Sequence, residues 1–161
     1  MPITPFHFGP GAALQAIAPR HISFLAFCAA NVLIDVESLY NLVHHRHPVH
    51  AFFHTYVGAT LAALGIVAAF WLLRRVGRAG VRRLLPKLTL RQVTLGATLG
   101  AWTHVLLDSV MHADIQPLQP LSAANGLLGL VSLSTLHWAC LACGAVAIAV
   151  AGVRYLLNER R

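Results

Sequence analysis

Acidic residues are nearly absent. The 161-residue chain has five, Asp35, Glu37, Asp108, Asp114 and Glu159, and charged residues of all kinds make up 11%. Soluble domains carry about 25%, so a surface facing mainly water is excluded. Cysteine is scarce as well: Cys28, Cys140 and Cys143 all sit in apolar runs. There, Cys140-x-x-Cys143 reads as small residues at a helix contact rather than a redox pair. The opening MPITPFHFGPG lacks a basic n-region, and no cleavable signal peptide is expected. No internal repeat or low-complexity tract stands out.

What is abundant is hydrocarbon. The chain is 57% hydrophobic, with a mean hydropathy of +0.67. A transmembrane helix needs roughly 20 apolar residues to cross about 30 Å of bilayer core. Residues 56–73 meet that length without a charge, and 127–153 contain His137 as their only strongly polar side chain. Residues 92–112 qualify if His104, Asp108 and His112 are excused, and 22–42 if Asp35 and Glu37 are. The expectation is an all-α polytopic membrane protein, one domain over 1–161 with four transmembrane helices. A short helix over 12–19 is expected to precede them, re-entrant from the extracytoplasmic side, with Pro19–His21 as the turn into the first span. The alternative puts residues 1–20 in the cytoplasm.

The formal charge of +7 does not point to nucleic acid. Arg74, Arg75, Arg78, Arg82, Arg83, Lys87 and Arg91 crowd one loop that Pro86 breaks, and Arg154, Arg160 and Arg161 close the chain. This is the positive-inside pattern. Loop 74–91 and the C-terminus are thus expected in the cytoplasm, and loops 43–55 and 113–126 outside it. The bilayer is the expected partner.

The polar residues gather on the extracytoplasmic side. His104, Asp108 and His112 stand at i, i+4 and i+8, so they form one stripe on a helix. His50 and His54 repeat the interval, as do Asn31 and Asp35. In the re-entrant arrangement His7 reaches the level of Asp35, each the same number of residues from His21. Carboxylates inside a membrane segment cost about 2.5–3.5 kcal/mol on insertion scales and usually face a functional interior.

Imidazole nitrogens and carboxylate oxygens are the ligand set of zinc and related divalent metals. A cation also offsets buried carboxylates and can lower the pKa of water toward 7. Asp35, His50, His104 and Asp108 are the leading candidate ligands, with His7 and His112 beside them. Glu37 and Asp114 are candidate general bases, and Arg46 a candidate for binding phosphate. One or two ions fit the ligand count. Histidines at helix ends are commonly interfacial, and His54 and His137, taken singly, are read that way. His44 and His47 read as solvated loop residues.

TPFHFGPG, LIDVES, HRHPVH and HVLLD follow one another in this order. The series resembles the YdjM-like, LexA-regulated membrane-bound metal-dependent hydrolases, with their N-terminal histidine, P-D-[IL]-D, H-R-G-x-[ST]-H and H-x-x-x-D motifs. The resemblance covers roughly residues 5–120. It implies site roles for His7, for Asp35 with Glu37, for His45-Arg46 with His50, and for His104 with Asp108; His45 joins the candidate ligands on this ground. Glu37 stands where the family has a second aspartate, and His47-Pro48-Val49 where it has Gly-x-Ser/Thr. The family is distantly similar to zinc-dependent phospholipases C and related all-helical nucleases, which implies a phosphoester substrate.

The expected function is metal-dependent hydrolysis of a lipid or amphiphile headgroup ester, in the inner membrane of a bacterium, at the extracytoplasmic face. The rivals are a metal-dependent acyl or amide hydrolase, and a divalent-metal binding or transport protein.

Overall fold

The structure, a computed structural model, describes residues 4–76 and 88–159. The basic residues Arg78, Arg82, Arg83, Lys87, Arg160 and Arg161, and Pro86, lie outside the described residues. The described chain is all helical: α1 (Phe8–Ile17), α2 (Phe24–Val43), α3 (Tyr56–Val76), α4 (Leu90–Met111) and α5 (Leu133–Glu159), with 3-10 turns at Thr4–His7 and Phe52–His54. The architecture is that of a multi-pass membrane protein: α2, α3 and α5 are each long and apolar enough to cross a bilayer. At 1.5 Å per residue, the 20 residues of α2 extend about 30 Å.

Helix starts follow their capping residues. Ser23 caps α2 by accepting the Ala26 N–H at 3.2 Å. Thr89 and Gln92 form a capping box at α4, Thr89 Oγ1 accepting from Gln92 N at 3.2 Å and Gln92 Oε1 from Thr89 N at 2.8 Å. Thr55 does the same service for α3, accepting the Gly58 N–H at 2.9 Å.

Helix α4 packs against both α2 and α3. The shared core is built from small side chains, Ala26, Ala30, Ala59, Ala62, Ala63, Ala97 and Ala101, around Ile34 and Val105. Small residues let helix backbones approach where lipid removes the usual hydrophobic incentive. Two glycines of α4 show this against α2: a Cβ at Gly96 would lie 2.3 Å from the Ser23 carbonyl oxygen, and one at Gly100 2.5 Å from that of Phe27. Helix α5 stands apart from this trio and packs chiefly on α1.

Two boundaries differ from the sequence expectation. The N-terminal helix begins at Phe8, not at residue 12, with Pro10 inside its first turn. Proline is tolerated there because first-turn N–H groups have no helical partner. The last helix begins at Leu133 instead of residue 127. Gly129 adopts φ +72° and its N–H bonds Val110 O at 3.0 Å, which ties this stretch to the end of α4. Ser132 then caps the helix, accepting from Thr135 N at 3.1 Å.

The loops 44–55 and 112–132 meet at one end of the molecule, where Tyr56 N donates to Pro117 O at 2.9 Å. The polar site lies under them.

Candidate metal centre

Three segments deliver their polar side chains to one place. Helix α4 brings His104 and Asp108, one turn apart; α2 brings Asp35; the 3-10 turn before α3 brings His54. Each offers a ligand atom within 4.8 Å of the others. His104 Nε2 lies 3.2 Å from Asp35 Oδ1 and 3.4 Å from Asp108 Oδ2. His54 Nε2 lies 3.5 Å from Asp108 Oδ2, 3.9 Å from Asp35 Oδ1 and 3.3 Å from His104 Nε2. His54, His104 and Asp108 are almost fully buried. His7, buried at the end of the first 3-10 turn, places Nε2 3.1 Å from Asp108 Oδ1.

A hydrogen-bond chain fixes the His104 ring. Asn31 Nδ2 donates to the carbonyls of Phe27 (2.9 Å) and Gly100 (3.4 Å), so Asn31 Oδ1 faces His104 Nδ1 at 2.9 Å. Nδ1 must then carry a proton, and in the neutral ring the Nε2 lone pair would point at two carboxylates. Acceptors facing acceptors repel unless a cation lies between them. Zinc–ligand bonds of about 2.0–2.1 Å in a tetrahedron put ligand atoms roughly 3.3 Å apart, and most separations here fall near that value. His7 Nδ1 is buried with no hydrogen-bond partner, while its Nε2 faces Asp108 Oδ1. Such a group typically costs 1–3 kcal/mol unless something binds it. The donor set fits a divalent cation. Ser38 Oγ, 3.4 Å from His54 Nδ1, supports the second ring from behind.

A second group adjoins the first. His50, Asp108 and His112 also offer ligand atoms within 4.8 Å of one another, so Asp108 belongs to both groups. Asp114 steadies His50: Oδ1 lies 2.9 Å from His50 Nδ1, and Oδ2 accepts the backbone N–H groups of Val49 (3.0 Å) and His50 (3.1 Å). Burial alone would raise the Asp114 carboxyl, but these contacts with His50 outweigh it and hold it below the usual carboxylate range. Burial pushes the His112 imidazole down, and the neighbouring His50 ring, with centroids 4.1 Å apart, acts in the same direction.

The other residues singled out in the sequence lie around this centre. Glu37 accepts the N–H groups of Phe52 (3.2 Å) and Phe53 (2.6 Å), which anchors the turn that carries His54. His45 is exposed and adopts φ 52° where the chain leaves α2. Arg46 is exposed, its guanidinium 5.1 Å from the Tyr40 ring centroid. Neither His45 nor Arg46 falls in a ligand group among the described residues. His54 is the buried member that sequence alone treats as interfacial. Its signal was the four-residue step from His50, the same step that sets His104 over Asp108.

No family model, no curated protein and no solved structure matches this chain.

Proposed function

We propose that the chain is a membrane-embedded, metal-dependent hydrolase of lipid or amphiphile headgroup esters, with a phosphoester as the leading substrate. One observation carries it: Asp35, His54, His104 and Asp108 turn ligand atoms toward one another inside an otherwise apolar helical body. Asp35, His54, His104 and Asp108 would hold the first ion, with His7 against Asp108. His50, Asp108 and His112 would hold a second, and zinc suits the nitrogen-and-oxygen set. A bound divalent cation supplies Lewis acidity and brings the pKa of water toward neutrality.

The protein's own groups do the rest. Asn31 and Asp114 orient His104 and His50. Glu37 holds the His54 turn, so its carboxylate is a positioning group here, as is that of Asp114. His7, paired through Nε2 with Asp108, keeps Nδ1 available for a proton. Arg46, on the exposed loop beside the His50 segment, meets the incoming phosphate with a planar fork of donors.

In this proposal α4 is a fourth span. Its polar residues turn inward, while Leu95, Trp102 and Leu106 are exposed to lipid. Helix α1 is re-entrant. Arg74 and Arg75 end α3, remote from the His54 end of that helix, and Arg91 begins α4, remote from Asp108. Under the positive-inside rule the metal centre then faces the extracytoplasmic side of a bacterial inner membrane. The resemblance to the YdjM-like hydrolases supports the same conclusion, since His7, Asp35, His50, His104 and Asp108 occupy its motif positions.

Purified protein is to be assayed for bound metal by elemental analysis, then against phospholipid and acyl-lipid panels. Release of a phosphorylated or dephosphorylated headgroup is the expected result. Free fatty acid instead would assign an acyl hydrolase, and metal flux into liposomes without turnover a transporter. His104→Ala and Asp108→Ala should lose the metal while still inserting; unchanged metal content in both would overturn the assignment.

A further inference from the structure

Beside the metal groups, α4, the 128–132 loop and the first turns of α5 enclose a cavity of about 550 Å³. Binding sites for small molecules span roughly 300–1,000 Å³. Its walls are largely apolar, from Val110, Met111, Leu128, Val131 and Leu133, and its imidazoles are His112 and His137. In both, Nε2 is buried and has no hydrogen-bond partner in the protein. His112 belongs to the second ligand group, so the cavity opens against the metal centre. His137 belongs to neither group among the described residues.

The His137 ring is nevertheless held in place. It stacks on Phe6, centroids 4.4 Å apart and planes 18° from parallel. Phe6 lies in the same 3-10 turn as His7, the residue paired with Asp108. His137 is thus tied to the metal centre through one short segment. A hydrocarbon tail alone would leave its Nε2 unpaired; a ligand oxygen would not.

We propose that this cavity seats the apolar chain of an amphiphile whose headgroup oxygen accepts a hydrogen bond from His137 Nε2, beside His112. The proposal deepens the hydrolase reading and rests on it for the identity of that amphiphile as substrate. The occupant has one apolar chain in the cavity, joined to a headgroup rich in acceptor oxygens. Leu128, Val131 and Leu133, exposed at the rim, let the chain slide in from the bilayer.

The probe is dodecyl phosphate with a diazirine on its chain, presented to the full-length protein in nanodiscs, with and without excess unlabelled dodecyl phosphate. Crosslinks are mapped by mass spectrometry. Saturable labelling should concentrate on Val110–Met111 and Leu128–Leu133. It should fall by about tenfold in Leu128→Trp, which fills the cavity, and in His137→Phe, which keeps a ring on Phe6 but removes the nitrogen. Metal content should not change in either variant, because neither residue is a ligand. Val131→Trp replaces Leu128→Trp should that protein fail to insert. Unsaturable labelling spread over the outer faces of α2, α3 and α5 would mean bulk lipid contact only and would overturn the proposal. Undiminished labelling in the cavity-filling and His137 variants would overturn it too. Saturable labelling of a wild-type protein that binds no metal and turns over no ester would uphold the amphiphile site and sink the hydrolase reading alone.

Discussion

Helices α4 and α5 have opposite relations to their surroundings. Helix α4 is the most polar of the four long helices and carries a long run of buried residues, from Val93 to Ser109. Helix α5 is strongly apolar, yet 6% of its most apolar stretch is buried in protein. In water the order would be reversed, because burial and apolarity go together there. In a bilayer the solvent is hydrocarbon, so apolar faces need no cover and polar ones do. The polar stripe of α4 is covered by α2, α3 and the His54 turn, and that covering is what makes a site.

Substitutions in the two helices should differ in the size of their effect accordingly. The largest effect is expected from Asp108→Ala, which removes a ligand from both groups of α4. Metal affinity should fall by at least about 100-fold, since even partners behind a ligand are worth roughly 10–100-fold. In thermal unfolding, metal at 100 times the wild-type Kd should stabilise the wild type by about 2.7 kcal/mol and the variant by at most about 0.4 kcal/mol. Next comes Gly100→Ala. Its new methyl meets the Phe27 carbonyl, so α2 and α4 must part at a cost of about 1–3 kcal/mol, read as a lower Tm in detergent. A smaller effect is expected from Asn31→Ala, which leaves the ligands in place and frees the His104 ring; metal titration should show about a tenfold loss. The smallest is Gly152→Ala on α5, where the added methyl meets nothing within 4 Å. Helix propensity then favours alanine by at most roughly 1 kcal/mol, and Tm should hold or rise slightly. A Gly152→Ala loss as large as that of Gly100→Ala would show that α5 has a tight protein partner and would end the comparison.

Much of this was legible along the chain. Apolar run lengths give α2 and α3 to within a few residues, and the four-residue spacing of His104, Asp108 and His112 marks the inward stripe of α4. The N-terminal helix and its turn at Pro19–His21 were legible too, except that the helix starts at Phe8 and takes Pro10 into its first turn. Other features were not legible. Residues 127–132 are apolar enough to pass for helix, and a contact with Val110 makes them the wall of a cavity. Glu37 and Asp114 look like free carboxylates along the chain, but Glu37 spends both oxygens on the Phe52 and Phe53 N–H groups, and Asp114 spends one on the Val49 and His50 N–H groups and the other on the His50 ring. His54 looks interfacial until the 52–54 turn folds it over Asp108.

Composition and run length alone mark the chain as helical, with helices apolar enough to cross a bilayer. They also mark its few acids and most of its histidines as sharing one end, because local periodicity and composition act over neighbouring residues. Which of those side chains converge is set by packing between distant segments. Ligand geometry depends on how α4 sits between α2 and α3 and on where the two loops cross. Those positions come from contacts between residues dozens of places apart, such as Asn31 with Gly100 and His50 with Asp114.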